Sequence, residues 1–192
     1  MTTTDQEPRT GAGSGVIAFG AIAAGAVLSL LLGIYGREHT PTGEEIFTFG
    51  FGGLAAMKVY LSVIVGVFVV VQLVTALWMY GRLGLAVPAG LGVVHKLSGA
   101  IALVVSLPVA YHCLWALGYQ TSDTRVLVHS VAGCIVYGAF VAKLVGLHAD
   151  RAPGWLLPVA AGLLLAALVA VIVTGAGWYV DTFGWPSTST GY

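Results

Sequence analysis

Charged residues are scarce in this chain. Only 8% of its 192 residues are Asp, Glu, Lys or Arg, whereas 58% are hydrophobic, and the mean hydropathy is +0.93. Soluble globular domains carry about 25% charged residues, so the composition excludes that class. The eight basic residues balance the eight acidic ones, which leaves neither a basic surface for nucleic acid nor an acidic tail.

Cysteine is equally scarce. Cys113 and Cys134 lie inside apolar segments and show no CxxC spacing, which excludes a disulfide framework, a zinc ribbon and a thioredoxin-like site. Both are expected to be small apolar core residues. The sequence also has no Walker loop, Rossmann fingerprint, HExxH motif or GxSxG elbow. Nucleotide binding and the common hydrolase classes therefore have no support.

Long apolar runs make up most of the chain. Each run is long enough to cross a bilayer, which takes about 20 apolar residues per helix. The runs predict an all-α polytopic membrane protein with five transmembrane helices. The last four helices are expected to form an antiparallel four-helix bundle, with the N-terminal helix packed at its side. The predicted spans are 14–35, 51–80, 91–117, 125–147 and 155–180.

Two polar segments flank this transmembrane domain of residues 14–180. Residues 1–13 are predicted to be disordered, and residues 181–192 to form a short C-terminal tail. The first apolar run exceeds the 7–15 residues of a signal-peptide core, so it is expected to remain as a helix. Basic residues are more frequent on the side of the N-terminus. We therefore expect a multi-pass protein of the cell membrane with a cytoplasmic N-terminus.

Histidine placement is the strongest functional signal. His95 opens the third span and His112 lies near its end, while His129 opens the fourth span and His148 closes it. Because a short turn joins these spans, we expect antiparallel neighbours. His95 would then lie beside His148 at the cytoplasmic level, and His112 beside His129 at the outer level. Ionisable groups inside a span are costly and usually functional.

Helical geometry supports these two pairs as metal ligands. The 17 residues from His95 to His112 correspond to about 26 Å of rise, a distance that one metal ion cannot bridge. The ring directions rotate oppositely along the two antiparallel helices, so each level can form its own two-histidine clamp. Two imidazoles suit haem iron inside an apolar bundle, whereas a structural zinc site needs four ligands.

The residues around the histidines extend this pattern. His95 to Gly99 and His129 to Gly133 both read H-x-[LV]-[SA]-G. A glycine one turn after each histidine lets a flat macrocycle lie against the backbone, although helix packing uses small residues equally well. Five cations are candidate partners of haem propionates and equally ordinary interfacial anchors; they are Arg82, Lys96, Lys143 and Arg151 at the inner level and Arg125 at the outer level.

Paired histidines in a bundle of apolar helices resemble the cytochrome b561-type and ferric-reductase-like di-haem membrane cytochromes. The chain is also similar to short actinobacterial-type membrane proteins related to that group. The resemblance covers about residues 51–180 and rests on His95, His112, His129, His148 and their glycines. The family distributes its ligands over four helices, whereas two helices hold all four here.

The resemblance implies two bis-histidine haem b groups and electron transfer across the membrane. The chain would act as an electron-transfer module rather than a self-contained enzyme. Its partners would be a quinone or soluble reductant on one face and an extracytoplasmic redox partner on the other. Association into a homo-oligomer is a further expectation that the sequence leaves open.

Two other function classes remain open. The chain is alternatively a haem-free membrane anchor or assembly subunit, whose histidines simply cap the span ends. The other hypothesis is a small proton-coupled transporter, because imidazole titrates near physiological pH. Against this hypothesis, the sequence has no acidic residue inside any span and no visible inverted repeat with broken helices.

Overall fold

The computed structural model describes residues 12–188, and this range contains helices without any strand. Five helices are long and apolar enough to cross a membrane. They are α1 (Ala12–Glu38), α2 (Leu54–Met79), α3 (Leu91–Leu117), α4 (Thr124–Leu147) and α5 (Leu156–Phe183). The prediction of an all-α protein with five spans is confirmed, and each predicted boundary lies within one helical turn of the observed one.

The predicted terminal segments overlap the described range only in part. Residues 12 and 13 belong to α1 and residues 181–183 belong to α5. Both helices are therefore longer than predicted at these positions. Residues 1–11 of the predicted disordered start and residues 189–192 of the predicted tail lie outside the described residues.

Successive helices alternate in direction, which defines two ends of the bundle. The proximal end is where α1 begins, and there residues 80–90 and 148–155 connect helices. The distal end carries residues 39–53, residues 118–123 and the chain after α5. Hydrogen bonds tie the distal segments together: Tyr119 donates its N–H to the Gly36 carbonyl, and the Tyr60 hydroxyl donates to the Pro186 carbonyl.

Helix α1 packs mainly along α4, through small residues. A Cβ atom placed on Gly138 would collide with the Ser29 hydroxyl and the Gly25 carbonyl. The Ser29 hydroxyl donates a hydrogen bond of 3.1 Å to the Cys134 carbonyl. Close backbone approach at small residues, joined by a polar side chain, is how transmembrane helices associate. Helix α1 is therefore an integral part of the bundle.

The other close helix pairs are α2 with α3 and α4 with α5, and α2 also contacts α5. Helices α3 and α4 instead face each other across a cavity. The Tyr137 hydroxyl and the Ser106 hydroxyl bridge them at 3.0 Å. This differs from the expectation that a short turn makes α3 and α4 packed neighbours. The reason is that α4 uses its contact surface for α1 and α5, and α3 uses its own for α2.

Candidate distal cavity and histidine sites

A cavity of about 730 Å³ lies between α2, α3, α4 and α5 in the distal half of the bundle. Its wall is mostly apolar, with Val65 and Leu168 among the lining residues, and His129 and Tyr137 are polar members of it. Ligand sites in proteins usually measure about 300–1,000 Å³ and combine apolar walls with a few polar groups. The cavity therefore has the size and lining of a binding site.

The His129 ring lies in the second turn of α4, against α5. Its Nδ1 atom is 3.1 Å from the Thr174 hydroxyl oxygen, and the Val171 carbonyl also lies beside the ring. A Cβ atom on Gly175 would come within 2.8 Å of the His129 Cε1 atom. The glycine at position 175 therefore makes the room in which the imidazole lies.

Two π-helical stretches line the same cavity. One is Cys113–Leu117 at the end of α3, and the other is Val173–Gly177 in α5, which carries Thr174 and Gly175. Such stretches are rare in proteins, and many of those that occur lie at functional sites. The sequence does not predict these π-helical stretches, and the one feature that points to them is a Thr-Gly pair inside an otherwise apolar run.

Two cations line the cavity from opposite helices. Arg125 of α4 donates from Nη1 to the Thr174 carbonyl at 2.8 Å, and its guanidinium lies 3.7 Å from the centre of the Trp178 ring. The second terminal nitrogen of Arg125, Nη2, is 3.9 Å from the Asp123 carboxylate. Lys58 of α2 also lines the cavity. Arg125 was a predicted site residue, whereas Lys58 was not.

The two predicted glycines have different surroundings. Gly133 lines the cavity, and a Cβ atom there would meet nothing within 4 Å. Gly99 faces α2, where a Cβ atom would lie 3.1 Å from the Gln72 side-chain oxygen. Gly133 therefore leaves open space beside the cavity, and Gly99 accommodates Gln72.

His112 is completely buried, with 0% of its surface exposed. Its Nδ1 atom donates to the Pro108 carbonyl at 2.9 Å, and its Nε2 atom is buried without a hydrogen-bond partner. The ring packs edge-on against Phe47, with ring centres 4.6 Å apart. His112 is not among the residues that line the cavity. The described structure therefore does not bring His112 and His129 to one cavity wall.

The proximal histidines are held in similar ways. The His95 Nδ1 atom lies 2.7 Å from the Thr75 hydroxyl oxygen, and Lys143 of α4 acts electrostatically on the ring. His148 follows the last residue of α4, is exposed, and donates from Nδ1 to the Leu144 carbonyl at 2.9 Å. Within residues 12–188, no hydrogen bond or ring contact joins His95 to His148.

A polar network surrounds His95. The Gln72 amide nitrogen donates to the His95 carbonyl and to the Ser98 hydroxyl, both at 2.6 Å. The Ser98 hydroxyl donates in turn to the Val94 carbonyl at 2.7 Å. This network fixes the first turns of α3 against α2.

The remaining predicted cations lie on the surface at the proximal end. Arg82, Lys96 and Arg151 are all exposed, and within the described part of the chain none of them forms an ion pair. Lys and Arg at the ends of spans commonly anchor a helix at the membrane surface. These three side chains fit that role.

The four histidines share one property: each uses Nδ1 in a hydrogen bond to an oxygen atom. A histidine that binds a metal through Nε2 normally donates its other ring proton to such an oxygen. The described residues contain no group of three or more His, Cys, Asp or Glu side chains that could hold a metal ion.

Residues 17–187 match the model of a family described as a family of unknown function, DUF6529. The chain belongs to this family. No curated protein and no solved structure matches it. The part that matches DUF6529 includes the distal cavity and all five histidines, so both are features of the family region of this chain.

Proposed function

We propose that this DUF6529 protein is a b-type membrane cytochrome that moves electrons between the two faces of the bilayer. One haem would be held by His112 and His129 in the distal half, and a second by His95 and His148 in the proximal half. The observation that carries this proposal is the use of Nδ1 by all four rings. That arrangement leaves the Nε2 side for an iron atom.

The distal cavity supports the proposal through its size and charge. Its volume of about 730 Å³ suits a large flat ligand, and Gly133 provides open space on its wall. Arg125 and Lys58 approach from opposite helices and would offset the acidic side groups of a haem. Apolar residues make up most of the remaining wall and would exclude water from the iron.

The buried Nε2 atom of His112 is compatible with a bound metal, although the Nε2 atom of His39 and the indole nitrogen of Trp115 are buried without a partner in the same way. An unpaired buried polar atom costs about 1–3 kcal/mol of stability, and coordination of a metal ion by that atom would remove the cost. The His112 ring packs against Phe47, outside the lining of the cavity. The distal pair is therefore the part of the proposal that single substitutions test most sharply.

A bound haem would supply the iron that accepts and releases an electron. The protein residues would hold the iron through Nε2 atoms, fix the ring orientations through Nδ1, and balance the acidic side groups with cations. No proton transfer at the iron is required. The proposed partners are a quinone or soluble reductant on one face and a redox partner outside the cytoplasm on the other.

A spectrum of the purified protein in detergent tests the proposal directly. We expect a Soret band, sharp α-bands after reduction, and two haems per chain. His112→Ala and His129→Ala should lose one and the same haem, and His95→Ala and His148→Ala the other. Each double variant of a pair should resemble its single variants, because residues that act as a unit are not additive.

His39 provides a matched control. Its ring is stacked between Tyr35 and Trp115, and its Nε2 atom is buried without a hydrogen-bond partner, like that of His112. Because His39 is not a proposed ligand, His39→Ala should keep both haems. Loss of a haem in His129→Ala but not in His112→Ala would reject the distal pairing. Absence of haem from the unmodified protein would reject the cytochrome and favour a haem-free anchor or assembly subunit.

A further inference from the structure

Two histidines are held by threonines from the neighbouring antiparallel helix. Thr174 of α5 contacts His129 of α4, and Thr75 of α2 contacts His95 of α3. Thr75 lies in the last turns of α2, whereas Thr174 lies in the π-helical stretch of α5, and each histidine lies in the second turn of its own helix. The same unit therefore occurs once in the distal half and once in the proximal half.

Each threonine hydroxyl has a backbone carbonyl to which it can donate: Thr75 to the Val71 carbonyl at 2.7 Å, and Thr174 to the Ala170 carbonyl. When the single hydroxyl proton is given to that carbonyl, the threonine oxygen can only accept from the histidine ring. The ring then carries its proton on Nδ1, which leaves a free electron pair on Nε2.

We propose that Thr174 and Thr75 are positioning residues that hold His129 and His95 in the Nδ1-protonated tautomer. A neutral histidine free in water favours the other tautomer, in which Nε2 carries the proton and cannot bind a metal. The two threonines thus prepare both rings for ligation before a ligand arrives. This inference deepens the proposed function. The benefit of the Nδ1-protonated tautomer for iron binding depends on that function.

The surroundings of Thr174 strengthen its role. The Thr174 carbonyl accepts a hydrogen bond of 2.8 Å from Arg125, which fixes the π-helical stretch that carries the threonine. The next residue, Gly175, leaves the room for the His129 ring.

The threonine contact also has an electronic consequence at a bound iron. Donation of the Nδ1 proton to an oxygen atom raises the basicity of Nε2. A stronger donor stabilises oxidised iron relative to reduced iron, so the threonine should lower the reduction potential of its own haem. Removing the hydroxyl should raise that potential.

Nitrogen NMR of the haem-free protein, labelled with 15N-histidine, tests the tautomer at a pH above the titration of imidazole. We expect His129 and His95 to show the Nδ1-protonated signature. Thr174→Val should move His129 away from that signature and leave His95 unchanged, and Thr75→Val should do the reverse. Thr174→Ser and Thr75→Ser keep the hydroxyl and should match the unmodified protein.

Two results would overturn the inference. One is an Nε2-protonated signature for both rings in the unmodified protein, and the other is an unchanged signature in both valine variants. In the haem-loaded protein, each valine variant should raise the potential of one haem and each serine variant should leave it unchanged. A protein that binds no haem would reject the cytochrome proposal, while the NMR result would still decide the role of the threonines.

Discussion

Gly175 shows how strongly the absence of a side chain at one position can control the distal site. A Cβ atom there would lie 2.8 Å from the His129 Cε1 atom and 3.2 Å from its Nδ1 atom. Both distances are shorter than ordinary contacts, so the ring would have to move away from α5. That movement would also break its contact with Thr174.

Gly175→Ala should therefore weaken ligand binding in the distal cavity. Crowding a packed site costs about 1–3 kcal/mol, which corresponds to about a 5- to 150-fold loss of affinity. The measurement is the haem content after purification and after titration with haem. Gly177→Ala is the control in the same π-helical stretch, because its nearest contact would be 3.4 Å from the Ile172 carbonyl. Equal haem contents in both variants would argue against the described ring position.

The sequence predicts the histidines but not the residues that hold them. Histidine stands out because ionisable residues are rare in apolar spans, whereas Thr75 and Thr174 look like ordinary polar residues within apolar helices. Their role depends on how each helix is rotated against its neighbour. The π-helical stretches also change the rotation locally, so regular helical spacing does not predict which residues near Cys113 and Thr174 face the cavity.

At the scale of helices, the α1–α4 contact depends on glycine. The Gly25 and Gly138 backbones approach so closely that neither position has room for a Cβ atom. Ser29 adds a hydrogen bond to the Cys134 carbonyl at the same crossing. The contact therefore combines the two features that hold transmembrane helices together.

Gly138→Val should separate α1 from α4 and lower the stability of the detergent-solubilised protein by about 1–3 kcal/mol, as expected for overpacking. Gly162→Val is a matched control in α5, where a Cβ atom would meet nothing within 4 Å. The readout is the thermal unfolding midpoint of both variants. A similar midpoint for the two would mean that the crossing does not stabilise the bundle.

Helix lengths follow from the sequence far better than helix pairing. Span length is set by bilayer thickness, so apolar runs predict the five helices closely. It is harder to predict which helices pack against each other, because the lipid-facing and protein-facing sides of a span are both apolar. The short turn of residues 118–123 predicts neighbours, yet small residues such as Gly138 direct α4 against α1 instead.

The whole molecule has two ends with different connections, and its orientation is open to a direct test. More basic residues lie on the side of the N-terminus, so we expect the distal end outside the cytoplasm. Thr121 is exposed at the distal end, and Asp150 is exposed at the proximal end. Both positions are therefore suitable for labelling.

In a background with Cys113 and Cys134 replaced by alanine, Thr121→Cys should react with a membrane-impermeant maleimide in intact cells. Asp150→Cys should react only after the cells are broken. Labelling of Asp150→Cys in intact cells, with Thr121→Cys protected, would reverse the orientation. The alanine background without a new cysteine measures the nonspecific signal.

The arrangement of the helices also divides the molecule into two parts, the α2–α3 hairpin and the group of α1, α4 and α5. The parts meet along α2 and α5, at the Ser106–Tyr137 contact, and where α1 touches the end of α3, and the cavity lies between them. A molecule that fills this cavity contacts both parts and binds the folded state alone. By mass action it stabilises that state by about 2.7 kcal/mol at a hundred times its dissociation constant. A rise in melting temperature therefore reports any occupant of the cavity, including one without colour.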